Sequence, residues 1–284
     1  KARMALAAPA ARGPQPEPRQ PVFRAGVRVV RVDVSVTGRR DTPVTDLTAA
    51  DFTLEEDGVP QAIDSAQFVR LDGRRGPGDE DSLQIRSREH GEAEAARDDV
   101  RLFAIFFDDY HVDRLPGVTV PIRAALEHFI RGLGPNDLVV LMDPLTPLSA
   151  LRFTRDQAAL LDQVRKWEGR QGELFPIRSP LEEGQAYAHN RAMVRAEVTL
   201  SALNALVTYL GGLRDGRSSV IFVSQGPATF FGTDGNLEDQ MRELLRNASR
   251  GNVAIHALDP RGLGDSGRGG DRDTLLRLGY ETGG

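Results

Sequence analysis

The chain has 284 residues, which at about 150 per domain points to roughly two domains and leaves length for at least one large buried core. Cysteine is absent, so disulfide scaffolds, thiolate zinc sites, iron–sulfur clusters and cysteine nucleophiles are excluded. The 41 acids outweigh 36 bases, of which only Lys1 and Lys166 are lysines, and the net charge of −5 argues against a chain-wide footprint for nucleic acid or anionic lipid.

Residues 1–21 combine alanine, proline and charge and read as a disordered arm or the remnant of a secretory signal. The run MALAAPA has small residues of cleavage-site type, but it is shorter than an intact apolar core of about 7–15 residues. From Val27 to Thr37, valines at 30, 32, 34 and 36 alternate with polar residues, the period of a strand with one buried face. Thr48-Ala-Ala-Asp51 has capping spacing for a short helical turn, and Phe52 to Glu56 reads as a strand. Asp57-Gly58 suits a type I′ hairpin turn, and a last strand is expected over Gln61 to Leu71. Residues 22–71 thus form a small all-β unit. Residues 72–99, dense in Gly, Arg, Glu and Asp, read as a charged flexible linker.

Beyond residue 100 the pattern changes. Arg101 to Phe107, Leu138 to Met142, Ser219 to Ser224 and Asn252 to Leu258 are continuous apolar runs, the mark of strands buried on both faces. Amphipathic segments lie between them at Val118 to Arg131, Asp156 to Trp167, Arg191 to Leu213 and Leu237 to Arg250. In the third, Val194, Val198, Leu203, Leu206, Leu210 and Leu213 are expected to share one stripe. Such alternation predicts an α/β fold with a doubly wound, mostly parallel sheet over residues 100–284. Leu148 to Phe153 follows the second strand too closely for a crossover helix and is expected as an antiparallel edge strand. No stretch approaches the ~20 apolar residues of a membrane span.

In an open parallel sheet the ligand crevice lies at the carboxyl ends of the strands. Those positions read Asp108-Asp109-Tyr110-His111-Val112-Asp113, Asp143-Pro144, Ser224-Gln225-Gly226 and Asp259-Pro260-Arg261-Gly262. Carboxylates from separate loops offer the oxygen ligands a hard divalent cation prefers. His111 has no second histidine at ligand spacing and reads as a loop or surface residue, and Ser224 lies in VSQG rather than in a G-x-S-x-G elbow. Gly264 to Gly270 follows the last strand without the order or lysine of a phosphate loop and reads as a surface loop. The segment 169–190 carries Leu174, Phe175, Ile177, Leu181 and Tyr187 on an irregular stretch, either a contact surface or residues folded over the sheet; Phe230 and Phe231 pose the same choice.

The strand followed by DDYHVD, the segment LSALRFT, the run VIFVSQG and VAIHALDPRGL together resemble a von Willebrand factor type A (VWA) domain, specifically the bacterial VWA-related family first catalogued in acidobacteria. VRVDVSVTGRRDTPVTDLTAADFTLEEDGVPQAI is similar to the block that precedes the A domain in that family, and LLRLGYETGG to its closing helix. The resemblance covers about residues 22–71 and 100–284. It implies a Rossmann-like A domain, here without its usual final strand, and an adhesion-type metal site built on D-x-S-x-S, a threonine and a last aspartate. Asp108 matches the first ligand, but Tyr110 and Val112 stand at the serine positions, Gln225 at the last aspartate, and residues 171–190 hold no threonine.

The resulting expectation is a non-enzymatic protein-interaction or adhesion module of an extracytoplasmic protein, with a degenerate metal site, no cofactor and no catalytic residue. The expected binding residues are Asp108, Asp109, Tyr110, His111, Asp143, Gln225, Phe230 and Phe231, and the expected partner is another protein. One alternative is a divalent-metal phosphohydrolase using Asp108, Asp109, Asp143 and Asp259. Another is a structural subunit of a larger envelope assembly.

Overall fold

Strand β3 (Arg101–Phe107) is the centre of the fold, and its residues feed two cores in alternation. Leu102, Ala104 and Phe106 point to one side, and Phe103, Ile105 and Phe107 to the other, as period-2 geometry requires. The computed structural model describes residues 31–32, 34–69, 84–172, 178–186, 191–227, 235–262 and 269–284.

The chain order is β1 (Leu54–Glu56), β2 (Val59–Gln61), α1 (Arg88–Ala95), β3, α2 (Pro116–Arg131), β4 (Asp137–Met142), α3 (Gln157–Lys166), α4 (Pro180–Ala186), α5 (Arg191–Leu213), β5 (Ser218–Val223), α6 (Gly235–Arg250), β6 (Val253–Leu258) and α7 (Gly269–Thr282). Four strands form one parallel sheet in the order β4-β3-β5-β6, with Ala104 beside Val140 and Val220, and Val220 beside Ile255. Side chains of α2 and α3, among them Ile122, Leu126, Leu160 and Val164, cover one face. The other face is covered by α5, α6 and α7 through residues such as Leu203, Leu206, Leu244 and Leu278. The architecture is therefore α/β with helices on both sides of a parallel sheet, as the strand pattern implies. The chain steps from β3 to β4 in one direction and then returns to the far side of β3 for β5 and β6. The strand order thus reverses between β3 and β5, the position at which open α/β sheets place their ligand crevice.

Residues 33–284 belong to one compact unit. Ahead of the large sheet, β1 and β2 form a hairpin whose turn residues Asp57 and Gly58 have φ of 50° and 78°, the type I′ signature expected of Asp-Gly.

Several expectations are corrected. The strand over Val27 to Thr37 is absent from its described part: Val32 and Val34 are 55% and 61% exposed, and Thr37 makes only an isolated bridge to Pro43. Alternation signals a face ready to be buried, and among the described residues no strand covers it. The strand expected over Gln61 to Leu71 ends at Gln61, with no strand from 62 to 69. The expected linker contains α1, capped by the Ser87 side chain on the His90 N–H, with Gly91 and Ala95 buried against the main domain. Tyr209 of α5 holds this helix by donating to Glu92 at 2.7 Å. The edge segment pairs antiparallel with β4 at one position, Thr154 with Val139, while Leu148–Ala150 is a 3-10 turn. The buried stripe of α5 runs Ala196, Thr199, Leu200, Leu203, Leu206, Val207 and Leu210, so Val194 and Val198 lie beside it. Leu174, Phe175, Ile177, Tyr187 and residues 264–268 lie outside the described residues.

At the outer edge of β6, the Ile255 N–H donates to the Thr282 hydroxyl at 2.8 Å, and Gly284 packs so closely on the Ile255 carbonyl that any Cβ there would collide with it.

Candidate functional site

The β3 end continues into the crevice through one more sheet hydrogen bond, Asp108 N–H to the Val223 carbonyl at 3.0 Å. A 3-10 turn over Asp109–His111 follows and buries Asp109, Tyr110 and His111. Asp108 is fully buried and its carboxylate meets three side chains. Thr199 donates to Oδ1 at 3.0 Å and Ser224 to Oδ2 at 2.6 Å, while His111 Nδ1 lies 2.8 and 2.9 Å from the two oxygens. Ser224 in turn accepts from the Gly226 N–H at 2.9 Å. A buried carboxylate is tolerable only when hydrogen-bonded in this way.

Asp109, its neighbour, meets different surroundings. Burial first, and then repulsion from Asp143, pushes its carboxyl up to about 7. Arg170 and Arg178 oppose the rise from 3.5 and 3.4 Å of Oδ2, while Oδ1 is buried without a hydrogen-bond partner. Arg170 is the hub of the segment that follows α3. Its side chain is sealed from solvent, forms an ion pair with Glu182 at 2.6 Å and stacks near the Tyr110 ring, whose other cationic neighbour is Arg195. Tyr110 donates to Glu182 at 3.2 Å. Burial alone opposes charge on Glu182, yet the Arg170 contact and the Arg178 N–H hold its carboxyl below the ordinary value. Backbone bonds from Arg170 and Gln171 to the carbonyls of Asp109 and Val112 fix the register, and Gly169 is required because a Cβ would overlap the Val112 carbonyl.

Gln225 ties three loops together: its side chain accepts from the Asp113 N–H at 2.8 Å, its N–H donates to the His111 carbonyl at 3.2 Å, and its carbonyl accepts from Arg261 at 2.6 Å. Asp143 shapes the turn after β4 by accepting from Leu145 N–H and the Thr146 hydroxyl, both at 2.9 Å. Asp259 is held by Arg261 through both carboxylate oxygens. A groove of about 680 Å3 runs past the same end of β4, lined by Met142, Leu145, Leu148, Leu181, Val198 and Ala202 among others.

The structure thus brings Asp108, Asp109, Tyr110 and His111 together and places Gln225 against them. Phe230 and Phe231 lie outside the described residues. The loop histidine of the sequence reading is instead a buried residue, because Asp108 supplies its polar partner. Sequence reasoning missed Thr199, which sits beyond 171–190 on the apolar stripe of α5, where a buried threonine signals a polar partner. It also missed Arg170, Arg178 and Glu182, for which an irregular stretch of charge gives no signal.

The adhesion-type cation that the resemblance implies does not fit these residues. Each Asp108 oxygen is already taken by a hydroxyl and the imidazole, and the Asp109 carboxylate faces two guanidinium groups that repel a further positive charge. Among the described residues, no group of three or more His, Asp or Glu side chains is arranged to hold a metal ion. The described residues also contain no helix long and apolar enough to cross a membrane. A scan against models of protein families finds no match to this chain, and a search of curated proteins finds none.

Proposed function

We propose that the chain is a non-enzymatic protein-interaction module, a Rossmann-like, VWA-related domain that binds another protein at its strand-end crevice without a bridging cation. The observation that carries this reading is the buried carboxylate of Asp108, whose oxygens serve Thr199, Ser224 and His111. The neighbouring groove, with the half-exposed Leu181 at its margin, gives the apolar contact that protein docking uses. The phosphohydrolase alternative loses Asp259 to its bidentate Arg261 contact and Asp108 to its three donors. Placement outside the cytoplasm follows from the family resemblance.

Co-purification of the native protein with its partner, in the presence and absence of chelator, tests the reading. Retention of the partner in chelator is expected, and strict dependence on Mg2+ or Mn2+ would overturn it. Fractionation of the native cell checks the compartment.

A further inference from the structure

The misfit between Asp108 and a cation has a positive counterpart in His111. Both oxygens of Asp108 lie within hydrogen-bond reach of His111 Nδ1, and the acid is buried while one-tenth of the His111 side chain reaches solvent. A carboxylate facing one ring nitrogen selects the tautomer with its proton on that atom and leaves the lone pair on the other. The backbone anchors the ring as well, since the His111 N–H donates to the Asp108 carbonyl at 3.1 Å and its carbonyl accepts from Gln225. Thr199 and Ser224 hold the carboxylate from the remaining sides, so neither it nor the ring is free to turn. Nε2 lies across the ring from Asp108 and has no hydrogen-bond or ion-pair partner among the described residues.

We propose that His111 Nε2 is a binding atom of the crevice, oriented by Asp108, which accepts a hydrogen bond from an O–H or N–H donor of the docking partner. Serine, threonine or tyrosine hydroxyls and uncharged N–H groups match this acceptor. Carboxylate and phosphate oxygens do not, because they would meet it lone pair to lone pair. The inference rests on the reading of the crevice as a docking face, but its test is made on the free protein. A failed tautomer measurement therefore differs from failure to retain a partner.

Long-range 1H–15N correlation spectra of the full chain at neutral pH read the ring directly. A protonated Nδ1 with a bare Nε2 is expected; an Nε2–H tautomer or a doubly protonated ring would overturn the proposal. In Asp108→Asn an amide N–H can face Nδ1 and move the ring proton to Nε2. Acylation of His111 by diethyl pyrocarbonate, mapped by peptide mass, is then expected to slow by about tenfold or more, the direction of the wrong-tautomer penalty. Equal acylation of wild type and Asp108→Asn overturns the assignment, and if that variant does not fold the wild-type spectrum still decides. Phenol, a small O–H donor, is expected to shift the Nε2 resonance on titration; a larger shift with acetate contradicts the ligand class.

Discussion

Arg170 and Glu182 form a 2.6 Å ion pair in which neither side chain is more than 5% exposed. The pair joins the segment after α3 to α4 at the mouth of the crevice, with Tyr110 donating to the same carboxylate. Removing Glu182 leaves the buried Arg170 charge with only the more distant Asp109 carboxylate, at 3.5 Å, so Glu182→Ala is expected to cost about 3–5 kcal/mol. Urea denaturation checks this, and a loss below about 1 kcal/mol would show that water replaces the partner.

Asp109 gives the protein an identifiable pH dependence. Its carboxyl is ordinary in the unfolded chain but titrates near 7 when folded, because burial and Asp143 disfavour its charge. Above the unfolded value the unfolded state has released the proton while the folded state still holds it. The stability from this group is therefore full at low pH, declines as pH rises through the interval from about 4 to 7, and levels off above. Urea midpoints of wild type and Asp109→Asn, compared across this range, are expected to converge at the acid end, with the variant the more stable at pH 8. Parallel curves would remove Asp109 as the cause.

Two adjacent glycines of α5 are expected to behave oppositely. Gly212 has open space around its Cβ position, so Gly212→Ala is expected to stabilise by about 0.5–1 kcal/mol through helix propensity. Gly211 faces Gly251 across α5 and α6, and a Cβ there would lie 2.6 Å from the Gly251 Cα. Gly211→Ala is expected to cost at least ~1–3 kcal/mol because two backbones must separate. Thermal melts of both variants decide the matter.

Tyr209→Phe removes the 2.7 Å donation to Glu92 that helps hold α1 to α5. Burial, followed by Glu92, raises this phenol to about 12. The loss is expected to be about 1.5–3 kcal/mol for a bond to a charged acceptor. Hydrogen exchange localises it: faster exchange in Arg88–Ala95 is expected, and uniform acceleration across the sheet would contradict so local a role.

The parallel strands were legible because each is an uninterrupted apolar run that supplies both faces, a demand few other environments make. Asp108 was legible for a related reason, since the run stops there and the next residues are polar. Its companions were not. Thr199 comes from a helix 91 positions away in sequence, and Arg170 from a stretch whose composition resembles any solvated loop. Helix α1 escaped notice because it is attached through small and charged residues, Gly91, Ala95 and Glu92, rather than through a stripe of large apolar ones. The valine alternation misled in the opposite direction: it records the ability to cover a surface and carries no information on whether one is offered.

The threonine at 282 acts as a plug. By engaging the amide of Ile255 with its hydroxyl, it takes up a rung on which a foreign backbone would otherwise begin to zip onto the rim of β6. Together with Gly284 against the neighbouring carbonyl, it leaves the middle of that rim no free rung for sideways extension.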